Sequence, residues 1–143
     1  MVHRAWIFAI AFITLFLDQL SKYFVELYQP SVSIFPFFSI QYVTNTGAAF
    51  GIFQDMTWLL IVITVVVLCI FLYYFNAIPN NAWYIIPAGL FLGGALGNLV
   101  DRIFRGHVID FLVLPYWPAF NVADMALTSA VIIYGFAVLI LKK

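Results

Sequence analysis

Charge is scarce in this chain: six acids and six bases among 143 residues leave only 8% of it charged, with a formal net charge of zero. Bases so few and so scattered give no electrostatic footprint for nucleic acid, which excludes that class of partner. Cysteine is almost missing. The lone Cys69 lies in the apolar run 59–75, so neither an intrachain disulfide framework nor a cysteine metal cluster can form, and the residue reads as packing or lipid-facing. The two histidines, His3 and His107, have no partners at ligand spacing, and no hydroxyl nucleophile has an evident base near it in sequence. No cofactor and no metal are expected.

Apolar surface fills the space instead. The chain is 66% hydrophobic and 20% aromatic, with a mean hydropathy of +1.09. A soluble domain of this length cannot hide so much apolar surface in one core, so lipid is the natural solvent for most of it. Four stretches, 5–24, 57–75, 83–100 and 121–141, approach the roughly 20 residues needed to cross a bilayer. They predict an all-α polytopic membrane protein, a single membrane domain over 1–143 with an outer loop at about 25–56. The first stretch runs into Asp18-Gln19-Leu20-Ser21-Lys22 without a small-x-small cleavage site, and so reads as a retained span, not a signal peptide. The second is rich in Val and Ile, but its unbroken length favours a helix over a strand. The third carries Pro87 and a series of small residues, with Gly89 and Gly93 in a GxxxG pattern that lets another helix approach closely.

An even number of spans puts both termini on one side. Lysine and arginine divide three to three between the two sides, but all six acids (Asp18, Glu26, Asp55, Asp101, Asp110 and Asp124) gather away from the termini, and Lys142-Lys143 follow the last span. This favours cytoplasmic termini. The link 76–82 is then a short cytoplasmic turn. On the other side, residues 38–45 partly alternate apolar and polar and predict a strand on the outer membrane face, followed by a turn at 45–47 and a return along the interface at 48–53.

The few polar residues within or beside the spans need an explanation, because a charged side chain facing lipid is costly. Asp18 and Lys22 are four apart on one helix face, as an interfacial anchor or as support for a site. Asn98, Asp101 and Arg102 can share one face and form a polar patch. Asp110 is framed on both sides by apolar residues, which a solvated loop carboxylate does not require. Asn121 and Asp124 open the fourth span, where an N-cap and a dipole-compensating acid are an adequate structural reading. Asp124 lies about three residues, or roughly 4.5 Å of helical rise, inside that span, so it and Asp110 can reach one cleft beneath the outer surface. Two carboxylates in one cleft share a proton, and the ionised and protonated members then supply the base and acid that peptide hydrolysis requires.

Five blocks occur in order along the chain: Asp18-Gln19-Leu20-Ser21-Lys22, Asn45-Thr46-Gly47-Ala48-Ala49-Phe50, the run 93–102 ending Asn98-Leu99-Val100-Asp101-Arg102, Val108-Ile109-Asp110-Phe111, and Phe120-Asn121-Val122-Ala123-Asp124. As an ordered set they resemble the prolipoprotein signal peptidases, the type II signal peptidases of bacteria. The resemblance implies that Asp110 and Asp124 are catalytic, that Asn45, Asn98, Arg102 and Asn121 bind substrate or position the dyad, and that Asp18 and Lys22 stabilise the fold around it. It implies four transmembrane helices with cytoplasmic termini and a small β-like extracytoplasmic platform bearing a mobile, lid-like segment. It also implies a monomer in the bacterial inner membrane whose site faces the outer leaflet. The expected partners are membrane lipids and lipid-modified prolipoprotein signal peptides, cut just before a diacylglyceryl-modified cysteine without cofactor or metal. Asp110 and Asp124 are only 14 positions apart, a shorter connection than the family pattern, which bears on the outer rim more than on the chemistry. An acyl or phospholipid transferase would need a nucleophile or a basic cluster, for which only Arg102 and Arg105 are available. A carrier would repeat its acids along the membrane depth, whereas here they gather at the outer ends.

Overall fold

The computed structural model describes residues 3–48 and 52–141. Part of the expected return at 48–53, namely residues 49–51, and the Lys142-Lys143 pair used for orientation lie outside the described residues.

Four α-helices carry the chain: α1 (Ala5–Tyr28), α2 (Thr57–Tyr73), α3 (Ala82–Phe104) and α4 (Val122–Leu141). Helix α1 continues four residues past its expected end at 24, because nothing interrupts it before Gln29 turns left-handed (φ 41°) and returns its N–H to the Val25 carbonyl ahead of Pro30. Helix α3 starts at Asn81, whose side-chain oxygen accepts the Trp83 N–H at 3.0 Å, and runs four residues beyond the expected 100, carrying Asp101 and Arg102 within its last turns. Among the described residues α1, α3 and α4 are long and apolar enough to cross a membrane. Helix α2, with 17 residues, sits at the short end of the spanning range and is followed by one 3-10 turn, Phe75–Ala77.

Helix α3 is the centre of the bundle, and its small residues explain why. A Cβ at Gly89 would lie 2.6 Å from the Ile10 Cβ, and one at Gly93 2.6 Å from the Ala11 carbonyl oxygen, both on α1. On the α4 side a Cβ at Gly94 would lie 2.7 Å from the Ala123 carbonyl oxygen. The glycines thus seat two neighbouring backbones directly on α3, as the GxxxG pattern anticipates. Only Leu60 and Leu68 of α2 are buried, and Cys69 is exposed on its outer side. Large apolar side chains cover the outside of the bundle, the arrangement of a multi-pass membrane protein.

Three strands form a small antiparallel sheet in the order β1 (Ser31–Phe35), β2 (Phe38–Asn45), β3 (Val108–Val113). The strand expected at 38–45 is β2, whereas β1 and β3 were not anticipated. Asp110, whose apolar frame did not fit a solvated loop, sits inside β3 opposite Val43. The reason is tertiary: Ile109 and Phe111 are buried with Val25 of α1, and Ile40, Tyr42 and Val122 pack around them. The apolar frame around Asp110 is therefore the underside of the sheet gripping the bundle.

Overpacking a site where backbones touch costs about 1–3 kcal/mol. Gly93→Ala is expected to lower unfolding stability in detergent by that amount, while Gly135→Ala, whose added methyl meets nothing within 4 Å, leaves stability unchanged or raises it. Equal effects in denaturant titrations of the two variants would contradict this packing.

Candidate active site

The floor of the site is a buried ammonium group. Lys22 Nζ donates to Asp18 Oδ2 at 2.8 Å, Asp101 Oδ2 at 2.9 Å and Asn98 Oδ1 at 3.0 Å, and Lys22, Asp18 and Asp101 are wholly buried. An ammonium has three protons and no acceptor, so this one is fully satisfied. Each carboxylate also holds a backbone from another element. Asp18 Oδ1 accepts the Ala123 N–H of α4 at 2.9 Å, and Asp101 Oδ2 accepts the Ile109 N–H of β3 at 3.2 Å. Asp101 Oδ1 receives Arg105 Nη1 at 2.8 Å and Gln19 Nε2 at 3.0 Å, and Arg105 Nε continues to Glu26 Oε2 at 3.0 Å. The Asp18–Lys22 pair is thus no interfacial anchor, because it lies where α1, α3, β3 and α4 meet. Gln19, Arg105 and Glu26 were missed in the sequence, although Asp18, Lys22 and Glu26 recur every four residues on one face of α1, a signal that could have exposed the cluster.

Above this floor lie the two carboxylates. Asp110 Oδ1 accepts Asn121 Nδ2 at 2.7 Å and its Oδ2 accepts Asn45 Nδ2 at 2.9 Å. Asp124 Oδ1 accepts Asn98 Nδ2 at 2.8 Å, and its Oδ2 accepts the Asn121 N–H at 3.2 Å. The Asp124 N–H returns to Asn121 Oδ1 at 2.9 Å, which makes Asn121 and Asp124 a reciprocal N-terminal capping pair of α4. The structural reading of these two residues is therefore correct, and it coexists with their place beside Asp110.

A common device orients the three asparagines. In each, Oδ1 is pinned by a donor, leaving the amide N–H groups to face a carboxylate: Asn45 by the Gly47 N–H at 2.9 Å, Asn121 by the Asp124 N–H, and Asn98 by Lys22. Asn121 Nδ2 also approaches Asn98 Oδ1 at 3.1 Å, linking the surroundings of the two acids.

Asp110, Asp124, Asn45, Asn98 and Arg102 line one cavity of about 460 Å³, with Trp117 and Phe120 at its rim. Arg102 Nη2 donates to the Gly47 carbonyl at 3.2 Å, while its buried Nε has no partner among the described residues. The patch expected on a single face of α3 is divided, with Asp101 turned into the ion cluster and Arg102 into the cavity. A larger apolar cavity of about 570 Å³ lies between α2, α3 and α4 at the other end of the bundle, and its lining, which includes Phe71, Tyr84 and Tyr134, holds no charged group.

Burial pushes the Asp110 carboxyl up to about 7, and the charge of Asp124 pushes the same way; the amides of Asn45 and Asn121 and the charge of Lys22 oppose them. Near neutral pH Asp110 is therefore poised to hold or release a proton beside a second carboxylate, the requirement for paired acid and base work.

The family model described as signal peptidase (SPase) II matches residues 10–140. The chain is 42% identical over 132 residues to the lipoprotein signal peptidase of Caldanaerobacter subterraneus subsp. tengcongensis, covering 89% of this chain and 90% of the relative. It is 44% identical over 140 residues to that of Halothermothrix orenii, covering 94% and 92%. Two solved structures, each of a bacterial membrane enzyme determined by the in meso method, share the fold at 31% identity. One has a TM-score of 0.88 over 94% of this chain and 88% of the other, and the second 0.85 over 95% and 94%.

The raised Asp110 carboxyl has a consequence for stability. Between about pH 4 and about 7 the folded chain keeps a proton that the unfolded chain, with an ordinary carboxyl near 3.8, has released, so this residue's contribution to stability falls as pH rises through that window. Tm measured in detergent from pH 4 to 8 is expected to decline more steeply for the wild type than for Asp110→Asn. Parallel curves would contradict the shift.

Proposed function

The chain belongs to the signal peptidase II family, and on that premise we propose that Asp110 and Asp124 are its catalytic dyad, cutting bacterial prolipoproteins just before a diacylglyceryl-modified cysteine. The observation that carries this reading is the pairing itself: two carboxylates from different elements, β3 and α4, face one cavity through a shared amide, Asn121.

Asp124, its two oxygens held by the Asn98 side chain and the Asn121 N–H, enters the reaction ionised. Asp110 carries the proton. Water placed between them attacks the scissile carbonyl carbon as Asp124 removes its proton, and Asp110 donates to the carbonyl oxygen as that oxygen gains charge. Collapse of the resulting gem-diol breaks the C–N bond. Asp124 gives its proton to the departing nitrogen and Asp110 recovers one from a diol hydroxyl, so the pair ends with the single proton it began with. The guanidinium of Arg102, which lines the cavity, and the amide of Asn45 are the donors that fix the substrate backbone and Asp110.

The substrate's acyl chains remain in the hydrocarbon and its signal segment enters the cavity sideways from the membrane. The termini are cytoplasmic and the dyad lies toward the outer leaflet, a reading supported by the basic residues that flank the first and last spans, Arg4 and Lys142-Lys143.

Purified protein is expected to cleave a precursor peptide bearing diacylglyceryl-cysteine and to leave the unlipidated peptide intact. Asp110→Asn and Asp124→Asn should each lower kcat by on the order of 1,000-fold or more with the fold retained. Cleavage by either variant at the wild-type rate would overturn the dyad.

A further inference from the structure

The mechanism above needs Asp124 to receive N–H groups and never to face a carbonyl, yet its partner Asn98 is an amide that presents an acceptor after a half-turn about its last bond. What prevents that turn lies on the other side of Asn98. Lys22 Nζ is 3.0 Å from Asn98 Oδ1, and its other two protons are committed to Asp18 and Asp101. Rotating the amide would bring its NH2 group against the ammonium, donor against donor, and its oxygen against the Asp124 carboxylate, acceptor against acceptor. Both contacts would fail together, and on the wholly buried Lys22 side no water can replace the one lost. Asn121 cannot impose the orientation alone, because its Nδ2 has two protons and three acceptors within reach: Asp110 Oδ1 at 2.7 Å, Asn98 Oδ1 at 3.1 Å and the Ile109 carbonyl at 3.3 Å.

We infer that Lys22 is a positioning residue for catalysis, acting through Asn98: its third N–H locks the amide so that Nδ2 holds Asp124 as the ionised partner of the dyad. The inference rests on the dyad reading. The groups around Lys22 are Asp18 on α1, Asp101 with Arg105 behind it on α3, Arg102 on the cavity side of α3, Asp124 on α4 and Asp110 on β3. Among them Lys22 is the cation that touches Asn98, and its charge also opposes the upward push on the Asp110 carboxyl.

The test uses the full chain in detergent or liposomes with a diacylglyceryl-cysteine precursor peptide. Lys22→Met alone would strand the buried Asp18 carboxylate, whereas Asp101 keeps Arg105, so it is combined with Asp18→Asn, which keeps the net charge of the cluster and leaves an oxygen for the Ala123 N–H. The double variant is expected to bind with an unchanged KM, to lose about 10- to 100-fold in kcat, the size expected for a hydrogen bond to a charged group, and to shift the alkaline limb of its pH profile upward. Asn98→Leu, which leaves the Lys22 carboxylate pairs in place, should show the same loss, and the three changes together should lose no more than Asn98→Leu alone. Losses that multiply, or a double variant whose folded fraction keeps the wild-type kcat and pH profile, would overturn the inference. Should the double variant not fold, Asn98→Leu decides alone: wild-type kcat there means that Lys22 cannot act through it. Asp110→Asn and Asp124→Asn, run in parallel, separate the two ideas, since activity in either defeats the dyad, while inactivity in both with a normal Lys22 variant defeats only the positioning role.

Discussion

One buried ammonium group holds this structure together at its functional end. Lys22 has no solvent to fall back on, and its two carboxylate partners are each also bonded to the backbone of another element, Asp18 to the start of α4 and Asp101 to β3. Removing one member of such a pair strands a charge at a cost of about 3–5 kcal/mol, so α1, α3, α4 and the sheet are bound to a single geometry and not merely pressed together by apolar contact. That matters more in a membrane than in water, because lipid offers apolar helices little reason to prefer one neighbour over another. The glycines of α3 allow the close approach, and the ion cluster selects where it happens.

The carboxylates above that floor are governed by amides. Asn45, Asn98 and Asn121 each have their oxygen engaged, by a turn N–H, an ammonium and a helix-cap N–H respectively, and so present donors to Asp110 and Asp124. Asparagine suits this task because its two ends are chemically opposite, and fixing one end fixes the other. The site thereby keeps a buried acid, Asp110, beside a half-buried one, Asp124, without a cation in direct contact with either among the described hydrogen bonds and ion pairs.

Much of this was legible in the sequence because lipid imposes simple rules. Long apolar runs gave the helices, and β2 showed its alternation. Each charged residue near a span demanded a partner, which led to Asp18, Lys22, Asn98, Arg102, Asp110 and Asp124. The remainder depends on tertiary contacts that no local pattern encodes. Strand β1 is short and exposed, and β3 reads as an apolar frame around one acid until the packing of Ile109 and Phe111 against Val25 is seen. The roles of Gln19, Glu26 and Arg105 depend on α1 meeting the end of α3, which the spacing along α1 hints at but cannot assign. The ends of α1 and α3 were placed early because hydropathy marks where lipid ends, whereas these helices stop at their own caps.

The central claim is that Asp110 and Asp124 work as one proton-sharing pair. The most direct measurement is the pH dependence of kcat/KM for wild-type protein on the lipidated precursor peptide in liposomes, since that ratio reports the acid and base of the free enzyme. An alkaline limb with a one-proton slope and a midpoint near the Asp110 value of about 7 is the expected result. A kcat/KM that stays level from pH 6 to about 9 would show that no proton held in that range is needed, and would contradict the account.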